Sequence, residues 1–153
     1  MSAILKSMID LLPMTEADLP AVMAIEADIY AFPWTEGNFR DSLAAGYSCW
    51  TYAVDGELIG YCVAMLAADE GHLLNLSIAA ARQRQGYGGM LLRQLCELSR
   101  RRGARQIFLE VRPSNPAGVH LYERHGFERV GLRRDYYPAP QGREDALIYR
   151  LAL

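Results

Sequence analysis

Glu110 stands in an otherwise apolar run, Ile107-Phe108-Leu109-Glu110-Val111, where burying an unpaired carboxylate is costly. Either the side chain is salt-bridged, with Arg112 on the same strand face as a plausible cation, or it is kept for chemistry. Desolvation raises a carboxylate's pKa, and a base brought near neutrality can take a proton from an amine, directly or through a water. A second chemical feature is the segment Gln83-Arg84-Gln85-Gly86-Tyr87-Gly88-Gly89. A glycine-rich turn entering a helix aims several free backbone N–H groups at one point, backed by the positive end of the helix dipole. That point suits a phosphate. Gly86, Gly88 and Gly89 would let the chain approach such a ligand without Cβ clashes, and Arg84 would add charge. The spacing matches neither the Gly-Lys-Ser/Thr end of a Walker loop nor GxGxxG, so by itself it fits a plain tight turn equally well.

Other residues exclude whole classes of function. Cys49, Cys62 and Cys96 are odd in number and widely spaced in apolar stretches, which points to buried, inert thiols. Neither a disulfide framework nor a metal site is expected. A net charge of -2 gives no ground for nucleic-acid binding, and the compact basic run Arg100-Arg101-Arg102 reads as cations at a helix C-terminus. No segment approaches the roughly 18 to 20 apolar residues of a membrane span, and Lys6 and Asp10 leave no signal-peptide core, so the expected location is cytoplasmic.

With 51% hydrophobic and 22% charged residues in a chain of 153, the composition is that of an ordinary globular domain, and no repeat or linker divides it. Residues 8–153 are expected to form one domain and residues 1–7 a loose N-terminal segment. Ile9 to Met14 reads as a first strand. Thr15-Glu16-Ala17-Asp18 has an N-cap pattern, and Leu19, Val22, Met23 and Glu26 carry a helix on to Ile29. A second short helix runs from near Thr35 toward Ala44. Ser48 to Val54 and Leu58 to Ala67 are strands joined by Asp55-Gly56, a hairpin turn whose central positions need positive φ, and His72 to Ile78 is a third. From Gly88, apolar positions 88, 91, 92, 95 and 96 describe a helix with one buried stripe, ended by Gly103. Gln106 to Val111 is a strand, Ser114-Asn115-Pro116 starts a helix that stops at Gly126, and strands near Phe127 to Tyr136 and Ala146 to Leu151 follow. The order β-α-α-β-β-β-α-β-α-β-β specifies an α/β fold: a mixed, mostly antiparallel sheet with helices on both faces.

Gln83-x-x-Gly86-x-Gly88 after His72 to Ile78 resembles the Q/R-x-x-G-x-G/A signature of the GNAT acetyltransferase superfamily. The likeness spans residues 12–151. Ala31-Phe32-Pro33-Trp34, Leu109-Glu110-Val111-Arg112-x-Ser114-Asn115, Arg133-Arg134-x-Tyr136-Tyr137-Pro138 and Gly142-Arg143-Glu144-Asp145-Ala146 narrow it to the branch acting on the N-terminal alanine of ribosomal protein S18. The resemblance implies a single-domain GNAT-type fold with acetyl-CoA as co-substrate and no metal. Backbone groups of Leu76, Ser77 and Ile78 would hold the acetyl and pantetheine portion. Amides of Arg84, Gln85, Gly86, Tyr87, Gly88 and Gly89 would hold the pyrophosphate, and Asn115 the pantetheine arm. Ala79-Ala80-Ala81-Arg82 departs from the Asp-Pro-containing turn usual in the family.

The resemblance further implies Glu110 as general base and Tyr122 as the acid that protonates the departing thiolate. Without that context a helical tyrosine packs in the core. Full transfer from a tyrosine of pKa ~10 to a thiolate of pKa ~8.5 is uphill by roughly 2 kcal/mol, so donation must be concerted or the tyrosine acidified by its site. The expected reaction is direct attack of a neutral amine, with a strand N–H as oxyanion donor and no acyl group on Cys96. The implied acceptor and protein partner is the S18 N-terminus, with no nucleic-acid or membrane partner. Trp34, Tyr136 and Tyr137 are candidate substrate contacts, and strand alternation would let at most one of the two tyrosines face the peptide. Glu36, Asp135, Glu144 and Asp145 are either partners for a basic peptide or solvated charges. Ionisation favours an α-amine, about 10 to 20% neutral at pH 7, over a lysine at about 0.04%. Acetylation of lysine or of a small amine is the alternative within the family. A non-catalytic acyl-CoA-binding module is disfavoured by the presence of both Glu110 and Tyr122.

Overall fold

The computed structural model describes residues 8–153, and the loose segment expected at 1–7 lies outside them. The elements follow in the expected order: β1 (Ile9–Pro13), α1 (Leu19–Ile29), α2 (Glu36–Ala44), β2 (Ser48–Val54), β3 (Glu57–Ala67), β4 (Glu70–Ile78), α3 (Tyr87–Arg101), β5 (Gln106–Val111), α4 (Pro116–Arg124), β6 (Glu128–Pro138) and β7 (Arg143–Ala152). Local chemistry sets several boundaries. Asp55 and Gly56 adopt φ of 50° and 82° and turn β2 into β3. Asn115 caps α4, its Oδ1 accepting the Gly118 N–H at 3.0 Å, with Pro116 in the first turn. Thr15 caps a single 3-10 turn, Glu16–Asp18, that precedes α1 rather than α1 itself.

The strands form one sheet in the order β1-β2-β3-β4-β5-β7-β6. Of the neighbouring strands only β4 and β5 are parallel, and α3 supplies the long crossover that a parallel pair needs. Residues alternate between two apolar layers. Cys62, Ala64, Leu73, Leu109 and Val111 pack with Leu91, Leu92 and Leu95 of α3 and Tyr122 of α4. Tyr61 and Val63, on the opposite face, pack with Leu19 and Val22 of α1 and Phe39 of α2. Each fully buried leucine of α3 contributes about 1.5 to 3 kcal/mol. The stripe on α3 is Gly89, Leu91, Leu92, Leu95 and Ser99, shifted from the expected one at both ends. Cys96 sits at its margin, and the Ser99 hydroxyl is satisfied by donating to Leu95 O at 2.8 Å.

Paired residues of β4 and β5 run from Glu70↔Gln106 to Leu73↔Leu109 and stop there. Beyond that point β4 continues to Ile78 against β3, and β5 to Val111 against β7. The sheet therefore opens in its middle.

Candidate active site

The opening leaves one edge of β4, including Leu76, Ser77 and Ile78, without a strand partner. Leu76 O accepts from Tyr30 O–H and Ile78 O from Gln83 Nε2, and the other backbone groups of that edge are left to solvent or a ligand. The glycine turn lies just beyond. Ala80–Arg82 forms a 3-10 turn where the sequence departs from the family, and Arg82 pairs with Glu57 at 2.8 Å. Gln83 Nε2 donates to Ile78 O at 3.0 Å, so the first residue of the signature ties the turn to the end of β4. Arg84 and Gly86 take φ of 62° and 87°. The first i→i−4 bond of α3 runs from Met90 N–H to Gly86 O, so the N–H groups of Tyr87, Gly88 and Gly89 precede the ladder. That arrangement suits an anion, with the helix dipole behind it.

The glycines serve this turn differently from the expectation. Gly86 supplies the left-handed backbone. A Cβ on Gly89 would lie 2.9 Å from His125 Cε1, and one on Gly88 would meet Leu121 and Ile78 at 3.7 and 3.9 Å. Both positions face the protein, and Gly89 is small to let α3 pack on α4.

Glu110 is 9% exposed by side chain and is held from both sides. His72 Nε2–H, from β4, donates to Oε2 at 2.5 Å, and Arg133 Nε, from β6, lies 3.4 Å from Oε1. Arg133 stands opposite Ala146 on β7, and this small residue lets the guanidinium reach across β7 to β5. Burial alone would raise the Glu110 pKa. The hydrogen bond and charge of His72 and the charge of Arg133 outweigh it, and the carboxyl lies below its ordinary value. The expected upward shift is thus reversed, because a histidine and an arginine converge on a site that the strand alone presents as apolar. Arg112, the expected neighbour, instead bonds Glu144 at 3.1 Å and Pro138 O at 2.7 Å.

Tyr122 is buried in the α3–α4 layer, edge-on to Phe127 at 5.7 Å. Among the described residues its hydroxyl has no hydrogen-bond partner. Burial raises its pKa well above that of a free tyrosine, and nearby Tyr30 and Tyr137 add to the shift. The site therefore shifts the tyrosine away from acidity, which favours concerted donation over full proton transfer. Tyr137 joins the two ends of the site: burial raises its pKa first, the Glu110 charge adds to this, and Tyr137 in turn acts on Tyr122. Tyr30, at the end of α1, reaches the opening as well, its hydroxyl 2.6 Å from Ser77 Oγ, with a pKa pushed up to about 12 by burial. Cys96 is pushed up to about 11 by burial, a protonated thiol at neutral pH.

Aromatic residues rim the other side. Asp135 takes φ 50° in a bulge where β6 loses register with β7, and Arg143 and Asp145 hold it through Asp135 O and N–H. The bulge breaks strand alternation. The Tyr136 and Tyr137 rings consequently meet edge-on at 4.9 Å, instead of pointing to opposite faces as expected. Arg112 lies over Tyr137 at 4.2 Å and over Phe32 at 5.4 Å, linking the β6–β7 end to the loop after α1. Trp34 is half-buried against Phe39, which leaves Phe32 as the exposed aromatic of that loop. Of the candidate acids, Glu144 is taken by Arg112 and Ser114, Asp145 by the bulge, and Glu36 by Arg40.

Beneath this rim lies a buried polar network. Glu26, 1% exposed, accepts hydrogen bonds from Trp34 N–H (2.9 Å), Tyr61 O–H (2.7 Å) and Asn75 Nδ2 (3.0 Å), while Ser77 Oγ donates to Asn75 Oδ1 (2.6 Å). It ties the Phe32–Trp34 loop to the open edge of β4. Sequence reading missed His72, Arg133 and Glu26 as site-forming residues. A histidine in an apolar strand, and a glutamate in phase with Leu19, Val22 and Met23, were the available signals. A surface hollow of about 370 Å³ between α3 and the end of β7, bordered by Cys96, His125 and Leu153, includes none of Glu110, Tyr122 or the β4 edge.

A sheet parted between two parallel strands, with the glycine-rich start of α3 at the mouth and Glu110 and Tyr122 near it, is matched by family comparison. Residues 19–127 match the acetyltransferase (GNAT) family, and the chain belongs to that family of acetyl-transferring enzymes. The chain is 38% identical over 136 residues to the [ribosomal protein bS18]-alanine N-acetyltransferase of Escherichia coli K12, covering 89% of this chain and 92% of that protein. It is 37% identical over 140 residues to the enzyme of the same name from Salmonella typhimurium, covering 92% and 95%. The crystal structure of the Escherichia coli ribosomal-protein-S18-alanine N-acetyltransferase superimposes with a TM-score of 0.88, covering 95% of this chain and 94% of that one at 36% identity. The mixed, mostly antiparallel GNAT-type sheet expected from sequence is the observed fold.

Proposed function

We propose that the chain transfers the acetyl group of acetyl-CoA to the N-terminal alanine of ribosomal protein S18, as one domain acting in the cytoplasm. The observation that carries this reading is the pairing of an ionised Glu110 with a Tyr122 hydroxyl that has no hydrogen-bond partner among the described residues, in a chain 38% identical to an enzyme named for that reaction. Amides from Arg84 to Gly89 bind the pyrophosphate, the β4 edge from Leu76 to Ile78 binds the acetyl and pantetheine portion, and a β4 N–H stabilises the oxyanion. Asn115 spends its side-chain oxygen on capping α4, so its Nδ2 is the atom left for the pantetheine arm. The neutral α-amine attacks the acetyl carbonyl, forming the C–N bond as the C–S bond breaks. Its surplus proton leaves on the Glu110 side, and Tyr122 donates to the departing sulfur in concert with C–S cleavage. Phe32, Trp34, Tyr136 and Tyr137 line the peptide entrance.

The test is mass spectrometry of an S18 N-terminal peptide incubated with the protein and acetyl-CoA, beside lysine-containing peptides with a blocked N-terminus. A gain of one acetyl group on the α-amine of the alanine peptide is expected. Equal or faster modification of lysine would refute the acceptor assignment, and acetyl-CoA binding without transfer to any amine would refute the enzymatic one.

A further inference from the structure

Glu110 faces a difficulty as a stand-alone base. Both carboxylate oxygens are already engaged, Oε2 by the His72 Nε2–H and Oε1 by the Arg133 guanidinium, and its pKa is lowered, so a proton placed on it is held weakly. The histidine bonded to it has a second ring nitrogen to spare. His72 Nε2 is committed to Glu110, whereas Nδ1 has no partner among the described residues. The His72 side chain is 28% exposed against 9% for Glu110, which gives the ring an edge from which a proton can leave. Both side chains lie on the same face of the sheet, at the point where β4 and β5 part.

We propose that His72 is the residue on which the amine's proton comes to rest, with Glu110 as its orienting anion. This rests on the acetyl-transfer reading above. In the resting pair Glu110 is a carboxylate and His72 a neutral imidazole protonated on Nε2, leaving a lone pair on Nδ1. When the amine adds to the acetyl carbon, one of its N–H bonds breaks and an Nδ1–H bond forms on His72, directly or through a bridging water. The pair passes from one negative charge to a neutral carboxylate–imidazolium ion pair, and solvent then removes the proton. Glu110 fixes the tautomer and stabilises the imidazolium, the arrangement in which a buried carboxylate makes a histidine an effective base. The charged and titratable groups that face the pair are Arg133 and Tyr137 of β6, with Arg112 of β5 behind Tyr137.

His72→Gln separates this role from mere positioning, because the amide N–H can still donate to Glu110 but cannot take up a proton. The expected result is a fall in kcat/KM of about 100-fold or more, with acetyl-CoA affinity unchanged and the acidic limb of the pH profile gone. A variant with the wild-type rate and profile would overturn the proposal. Nitrogen-15 NMR of histidine-labelled wild-type protein gives a second arm that needs neither turnover nor a folded variant. Nε2 protonated at neutral pH, with Nδ1 titrating, supports the assignment, and a proton on Nδ1 at neutral pH overturns it. If the wild-type protein fails to acetylate the alanine peptide, the acceptor reading falls, and the NMR arm still decides the state of His72.

Discussion

Alanine at Gly89 and at Gly88 should have opposite consequences, although the two glycines are adjacent in the same turn. A Cβ at 89 would lie 2.9 Å from His125 Cε1 and 3.0 Å from Nε2, well inside the 3.5 to 4.0 Å at which heavy atoms pack favourably. The ring has little freedom to retreat, because its Nδ1–H donates to Leu121 O at 2.8 Å. Overpacking of this kind costs about 1 to 3 kcal/mol, and a helical Gly→Ala exchange returns up to about 1 kcal/mol. A net loss of roughly 1 to 2 kcal/mol corresponds to a fall in Tm of about 2 to 8 °C in a protein of this size. At 88 the nearest atoms are 3.7 and 3.9 Å away, ordinary contact, so alanine there should leave Tm unchanged or slightly raised. Calorimetry gives the stabilities and titration with acetyl-CoA the affinities. Gly89→Ala should lose both, since the first turn of α3 must move to relieve the contact, and removing the ring with His125→Ala should restore part of the stability. A Gly88→Ala variant that keeps its Tm and loses acetyl-CoA binding would refute this reasoning, because it would place the ligand, and not α4, against that position.

The remaining predictions concern the other parts of the site. Tyr122→Phe should lower kcat about 10- to 1,000-fold with acetyl-CoA affinity retained, measured by steady-state kinetics and calorimetric titration; unchanged turnover would remove its role. Glu26→Ala leaves the Trp34, Tyr61 and Asn75 donors without their acceptor, each at about 1 to 3 kcal/mol, so urea unfolding should show a loss of roughly 3 kcal/mol or more. Glu110 has a lowered folded-state pKa, so its stabilising contribution is fully present above the unfolded value of about 4.3 and is lost as pH falls through the folded value. The stability difference between wild type and Glu110→Gln should therefore shrink as pH falls below about 4.3, followed by denaturant titration from about pH 6 downward.

Much of this architecture is legible in the chain because its signals are local. Asp55-Gly56 fixes a hairpin within two residues, and Asn115-Pro116 fixes a helix start within one turn. Glu110 could be singled out as a carboxylate in an apolar strand, and Tyr122 only through the family resemblance, since a helical tyrosine by itself reads as core packing. The partners of Glu110 could not, for a reason of distance along the chain. His72 lies on a strand joined to β5 by the whole α3 crossover, and only the parallel register decides which β4 side chain stands beside Glu110. Arg133 is harder still, since β7 inserts between β5 and β6 and the contact depends on Ala146 being small enough to reach over. The Glu110 pKa then came out in the opposite direction, because its sign is set by those two partners and not by the strand. The bulge at Asp135 escaped for a related reason: Arg143 and Asp145, from the next strand, stabilise it.

The buried Glu26 network bears on how acceptor preference can be transplanted. The loop carrying Phe32 and Trp34 is fastened through one carboxylate to Tyr61 on β3 and Asn75 on β4, so it is not a detachable module. A loop grafted from a relative with a different acceptor would arrive without its anchor unless its counterparts of Glu26, Tyr61 and Asn75 travelled with it. Recombination in this fold should accordingly succeed when crossovers keep α1, β3 and β4 from one parent, and fail when they divide them.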